Sequence, residues 1–239
     1  MQENYHKWYT QFLNRDFEML VYGSAGFPVI LFPSLKGRYY ESKDNGMIDS
    51  VAELIIQEKI KVYCPDTIDA ESWCNYAIEP IDRVRTHNAY ERVILNDVIE
   101  FAKFETRSKT VCVAGYDFGG YHALNLAFRH PEKVNSLISM SGTFDIRPFI
   151  YGFYDDNAYF NNPPDYLSNL DDPWYLERIK KINIILGVGE YDQCLEENNN
   201  MSRILTMKKI PHRLEIQSGC GHDLSAWKEM FPKFLLSYL

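Results

Sequence analysis

No apolar run in this sequence is long enough to cross a membrane. Val29 to Phe32 and Ile182 to Val188, the latter broken by Asn183, are strand-length, far short of the roughly 20 residues a bilayer requires. The opening MQENYHKWY lacks an apolar signal-peptide core, so a cytoplasmic protein with no membrane attachment is expected. Cysteine is scarce and odd in number: Cys64, Cys74, Cys112, Cys194 and Cys220 are scattered, with no C-x-x-C pair. That excludes a disulfide framework and fits reduced thiols. No Lys/Arg-rich run offsets the balance of 25 basic against 33 acidic residues, a net charge of −8, which argues against nucleic acid and other polyanions as partners. Glycine (13) and proline (11) are too few, and too evenly spread, for collagen-like or low-complexity architectures. His6, His87 and His212 have no Cys, Asp or Glu at ligand spacing. Neither a metal nor another cofactor is expected.

What is present is an ordinary globular chain, 46% hydrophobic over 239 residues, enough for one domain spanning 1–239 with a full core. Lys7 to Leu13 and Phe17 to Tyr22 alternate around Asn14-Arg15-Asp16, which predicts an antiparallel hairpin. A continuous apolar strand then follows at Pro28 to Phe32, with further strands at Lys61 to Cys64, Thr110 to Ala114, Val134 to Met140, Asn183 to Val188 and His212 to Gln217. Helical periods lie between them at Gly46 to Ile60, Asn88 to Phe104, Gly119 to Arg129, Glu196 to Lys208 and Leu224 to Leu239. Such an order predicts an α/β sandwich: a mostly parallel sheet with an antiparallel start and helices on both faces. An aromatic, turn-rich excursion at about 141–172 shows no sustained period and is expected to lie over a cleft.

The segment VCVAGYDFGGYHALNLAFRHPE, Val111 to Glu132, runs from a buried strand into a helix with Asp117 at the turn. Strand, tight turn and helix are the setting of the nucleophile elbow G-x-S-x-G, where small residues permit a strained apex. Gly115-Tyr116-Asp117-Phe118-Gly119 keeps that spacing and puts a carboxylate at the serine position. In isolation the same five residues also describe a turn closed by an aspartate N-cap. Further along, Asp192 follows the strand INIILGVG and His222 follows the last strand. That is the order nucleophile, acid, histidine, with each residue at a strand's carboxyl end, where open α/β sheets build their sites. Glu190 and Asp223 are rivals for the acid, although Asp223 also suits an N-cap of the last helix.

VYGSAGFPVILFPS leading into GRYYE, then CPDTIDAESW, GYHALNLAFRHPE after the elbow, SGTFD, YFNNPPDYL, the run Asp192 to Asn198, and GCGHDLSAW occur in this order. Through these motifs nearly the whole chain resembles the esterase branch of the α/β-hydrolases that includes esterase D-like and tributyrin-esterase-like enzymes. The resemblance implies hydrolysis of carboxylic esters by serine, histidine and aspartate, with a small-molecule substrate and a homo-oligomeric state. Carried over, His222 is the base and Asp192 its orienting acid. The oxyanion hole would be the backbone N–H of Phe118 and one from the Ser34-Leu35 turn, Leu35. The nucleophile departs from the pattern, because Asp117 stands in its place.

A carboxylate needs no base, but against an ester carbonyl it is a weak nucleophile that must expel an alkoxide far more basic than itself. Ordinary serine-esterase chemistry is therefore not expected. At saturated carbon an aspartate is competent: it displaces a leaving group, and histidine then activates water against the resulting ester. Asp117-Phe118-Gly119-Gly120 locally resembles the elbow of haloalkane dehalogenases and epoxide hydrolases, although the excursion is short for their helical cap. A catalytically silent binding site is the other outcome, with Asp117 paired to His222 and the imidazole held charged by two carboxylates. A single serine-to-aspartate substitution in an ordinary esterase would leave the same sequence. Around this centre, Tyr151, Tyr154, Tyr159 and Tyr166 are expected at the cleft rim, Trp73 and Asp69 to Ser72 at the active edge, and Lys36 and Arg38 beside the oxyanion turn. His122 and His130 belong to the elbow helix, outside the chemistry.

Overall fold

The computed structural model describes residues 1–238. Its strands are β1 (Glu3–Thr10), β2 (Arg15–Tyr22), β3 (Phe27–Phe32), β4 (Ile60–Pro65), β5 (Val111–Tyr116), β6 (Val134–Met140), β7 (Asn183–Gly189) and β8 (Arg213–Gln217). They form one eight-stranded sheet of order β1-β2-β4-β3-β5-β6-β7-β8. β2 lies antiparallel to both β1 and β4, and every later pairing is parallel. The fold is thus the α/β sandwich with an antiparallel start that the strand pattern indicates.

Parallel strands covered on both faces lose the polar–apolar alternation, and PVILF shows why. Ile30 and Phe32 join one core layer with Val111, Val113, Leu137 and Leu186. Val29 and Leu31 join the other with Cys112, Ala114, Ile138 and Ile185. Helices α1 (Glu41–Asp44), α2 (Met47–Ser50) and α3 (Ala52–Ile56) precede β4, and α4 (Pro80–Val93) and α5 (Glu100–Thr106) precede β5. α6 (Phe118–Arg129) follows β5. The excursion carries α7 (Asp156–Tyr159), α8 (Pro163–Asn169) and α9 (Pro173–Ile179), and the chain closes with α10 (Leu195–Met207) and α11 (Leu224–Leu236). α4, α6 and α10 cover the first layer, α2, α3 and α11 the second. No helix among the described residues is long and apolar enough to cross a membrane.

Several boundaries differ from the sequence pattern for local reasons. β1 ends at Thr10 rather than Leu13 because the turn begins at Gln11 and closes on Asn14 at φ 53°, a conformation asparagine tolerates. The Gly46 to Ile60 period breaks into short pieces: Gly46 takes φ 73° and Val51 leaves the helical region at φ −116°, although Met47, Val51 and Leu54 still face the core. The helix expected from Asn88 starts at Pro80, whose fixed φ suits a first helical position. It passes through a π-helical stretch at Ile94–Ile99 before α5. The excursion is more regular than its composition suggests: Asp155 caps α7 and Asp172 caps α9.

The elbow depends on backbone contact. A Cβ on Gly115 would stand 2.0 Å from the Gly119 oxygen, and one on Gly119 would stand 2.3 Å from the Pro33 oxygen. Gly115→Ala is therefore expected to cost roughly 1–3 kcal/mol, read from the urea midpoint. Gly221→Ala, whose nearest neighbour would be the Asp223 side chain at 3.7 Å, should leave the midpoint unchanged; equal midpoints for the two variants would contradict this account of the elbow.

Candidate active site

Asp117 sits at the carboxyl end of β5 with φ 53° and ψ −127°, outside the regions a non-glycine residue ordinarily occupies, so the surroundings must hold it there. Its side chain makes no capping hydrogen bond to α6, which removes the simple N-cap reading. One carboxylate oxygen, Oδ2, accepts the Leu35 N–H at 2.9 Å. The other, Oδ1, lies 3.3 Å from His222 Nε2. Asp117 thus occupies both the backbone donor expected of an oxyanion hole and the nitrogen expected of the base.

On its far side, His222 Nδ1 faces Asp192 Oδ1 at 2.9 Å. Asp192 is buried, accepts the Cys194 N–H at 2.7 Å through the same oxygen, and receives the Ser141 hydroxyl on Oδ2. Trp227 Nε1 donates to Ser141 Oγ at 2.8 Å, and the His222 ring stands edge-on to the Trp227 indole. Both rivals for the acid are spent elsewhere: Glu190 accepts from Ser218 and Gly219, and Asp223 caps α11 through the Ser225 and Ala226 N–H groups. The structure brings Asp117, His222, Asp192 and Leu35 together as the sequence indicates. Ser141 and Trp227 carry no spacing that marks them as site residues, although both lie in motifs that carry the family resemblance, SGTFD and GHD-x-x-x-W.

The charges follow from this geometry. The hydrogen bond to Asp117, then that to Asp192, and then Cys194 push the His222 pKa up to about 12 against the opposing effect of burial. Burial raises the Asp117 carboxyl, but His222 and the Leu35 and Phe118 N–H groups outweigh it and leave the pKa below its ordinary value. Asp192 is likewise raised by burial and brought below its ordinary value by His222, Ser141 and the Cys194 N–H. The resting site is therefore two carboxylates on one imidazolium. Asp192, Cys194 and His222 also offer ligand atoms within 4.8 Å of one another, a carboxylate–thiol–imidazole set that sequence spacing did not suggest. A cation there would compete with the proton that His222 Nδ1 shares with Asp192.

Other expected site residues land elsewhere. Tyr154 donates to Asp165 and Tyr166 to Asn125, the Tyr151 ring packs at a tilt against Tyr76, and Tyr159 lines a cavity of about 600 Å³ with Arg129 and His130 of the α6 C-terminal end. None of these tyrosines hydrogen-bonds to Asp117 or His222. Arg38 is committed to Asp66 and Glu18. Trp73 is buried with Phe118, Tyr121 and Ile146, bracing the side of the elbow. His122 pairs with Asp69 and His130 with Glu91.

A strand-to-helix elbow, a hole donor from the β3 loop, and an acid and a histidine after later strands together define a hydrolase fold. Residues 11–237 match the family described as "Putative esterase", and the chain belongs to that esterase family. In fold it is similar to a ferulic acid esterase at 14% identity, covering 98% of this chain and 95% of the other, TM-score 0.77. It is similar also to the S-formylglutathione hydrolase of Agrobacterium tumefaciens at 13% identity, covering 99% and 94%, TM-score 0.76. A third likeness is to FphF, a fluorophosphonate-binding serine hydrolase of Staphylococcus aureus, at 15% identity, covering 99% and 97%, TM-score 0.72. No curated protein matches the sequence.

The ion pair gives stability a pH signature. The raised His222 pKa stabilises fully below its ordinary 6.5, and the gain fades as pH climbs towards about 12. The lowered Asp117 and Asp192 values stabilise above the ordinary 3.8 and lose effect as pH falls through the folded values. Asp117→Asn is accordingly expected to cost more stability at about pH 5.5 than at about pH 10, measured by denaturant unfolding at both. A pH-independent cost would show that His222 is not held charged by Asp117.

Proposed function

We propose that the protein is a carboxylesterase-type hydrolase by descent in which Asp117 stands where serine-dependent relatives carry their nucleophile, and that it hydrolyses carbon electrophiles through a covalent aspartyl ester. The observation that carries this reading is the placement of the two Asp117 oxygens: Oδ2 already sits on the Leu35 N–H, and Oδ1 lies 3.3 Å from His222 Nε2. Attack on an acyl carbonyl needs an empty hole for the substrate's own oxyanion, and here the hole holds an oxygen of the enzyme. Displacement at saturated carbon needs no such hole in its first step.

In that step Oδ1 bonds to the substrate carbon and the leaving group departs with the electron pair. Esterification removes one of the two carboxylates that keep His222 protonated, so the imidazolium, still oriented by Asp192, gives its proton to solvent water and becomes a base. It then takes a proton from water, whose oxygen attacks Cγ of Asp117. The charge develops on Oδ2, where the Leu35 N–H stabilises it. Collapse breaks the bond between Cγ and the alkyl oxygen, the alcohol leaves with the proton from His222, and Asp117 is regenerated. Tyr154 and Tyr166 have committed hydroxyls and do not supply an acid, a group that organic halides, whose leaving groups depart as stable anions, do not need.

A second reading is favoured by the same ion pair: an imidazolium clasped by two carboxylates is a closed site, and the protein would then bind without turnover. Assaying the unaltered protein, Asp117→Ser and Asp117→Ala on short alkyl bromides and short-chain p-nitrophenyl esters separates the two. Halide release by the unaltered protein, reduced at least about 10³-fold in Asp117→Ala, is expected. Inertness of the unaltered protein towards both substrate types, with ester hydrolysis appearing in Asp117→Ser, would overturn the covalent reading in favour of the silent one.

A further inference from the structure

Three successive amides of the turn after β3 are each held by a different carboxylate. Ser34 N–H donates to Glu41 Oε1 at 2.9 Å, Leu35 N–H to Asp117 Oδ2 at 2.9 Å and Lys36 N–H to Asp69 Oδ2 at 3.1 Å. Lys36 adopts φ 62°, a left-handed conformation that a lysine holds only when its neighbours impose it. Asp69 is fully buried, and its second oxygen, Oδ1, meets His122 Nε2 at 2.9 Å. His122 lies one helical turn beyond Phe118 on α6 and is clamped by the rings of Phe32, Phe118 and Tyr90.

A buried carboxylate with one oxygen on each of two elements is a brace. The two hole donors come from separate parts of the chain, Leu35 from the β3 loop and Phe118 from the start of α6. Lys36 is the immediate neighbour of the first, and His122 shares a helix face with the second. We propose that Asp69 and His122 are positioning residues that set the separation of the two N–H donors by tying the Lys36 amide to α6. This rests on reading Leu35 N–H as a donor to the reacting oxygen, but the brace itself does not require turnover. Neither residue touches the reacting atoms; they act through the backbone, as groups behind a first layer of ligands do.

Amide hydrogen exchange on the intact chain tests this. Asp69→Asn keeps the volume but has one acceptor oxygen for two donors, and His122→Phe keeps the ring packing without the nitrogen. Each is expected to speed exchange at Leu35 and Lys36 by at least about tenfold, with β5 and α11 amides unchanged. Adding Lys36→Gly to Asp69→Asn removes the backbone penalty and should shrink the increase, which a merely space-filling Asp69 would not show. If His122→Phe fails to fold, Asp69→Asn alone decides. No change at Leu35, a rise spread evenly over the chain, or no effect of the added glycine would overturn the brace. Halide release can fail while this selective exchange persists, so the two proposals stand or fall separately.

Discussion

The carboxylate of Asp117 is held between a backbone N–H and an imidazolium, and the rest of the site is arranged around that placement. Gly115 and Gly119 let backbone approach where a side chain would collide, so that a non-glycine residue can sit at φ 53°. The parallel sheet delivers Leu35, Asp117, Asp192 and His222 to the carboxyl ends of strands that lie side by side or nearly so. Trp227 and Ser141 then fix Asp192, which fixes His222. Each of these contacts removes a degree of freedom from one group of the site.

The esterase family and the aspartate are reconciled by asking which atoms change charge. A serine elbow presents a neutral hydroxyl to a histidine that must be neutral to act. Here the elbow is anionic and the histidine cationic, with Asp192 a further anion behind it. Neutralising Asp117 as an ester restores the charge state in which His222 can act as a base, leaving the hole donors and orienting acid in the roles the fold provides. In the proposed reaction the machinery for hydrolysing an ester is kept, and the ester it serves is one formed on the protein itself.

Much of this was legible in the sequence because it is written in local chemistry. The two-sided burial of PVILF and INIILGVG marks a parallel sheet, and G-x-D-x-G between strand and helix marks the elbow. The positions of Asp192 and His222 after later strands follow from the order of elements. Glu190 and Asp223 could not be separated from Asp192, because that choice depends on which carboxylate is already capping a helix or a turn. The engagement of the excursion's tyrosines was equally hidden, since their partners Asn125, Asp165 and Tyr76 are set by tertiary packing. The breaks near Gly46 and Val51 escaped a periodicity that correctly marks the buried face but says nothing about φ.

The most direct test is the intact mass and peptide map of His222→Gln after incubation with a primary alkyl bromide. Without the histidine, the second half-reaction should stall, and the account expects one alkyl group per chain, mapped to Asp117. No adduct, or an adduct only on a cysteine such as Cys220, would contradict the claim that Asp117 is the nucleophile.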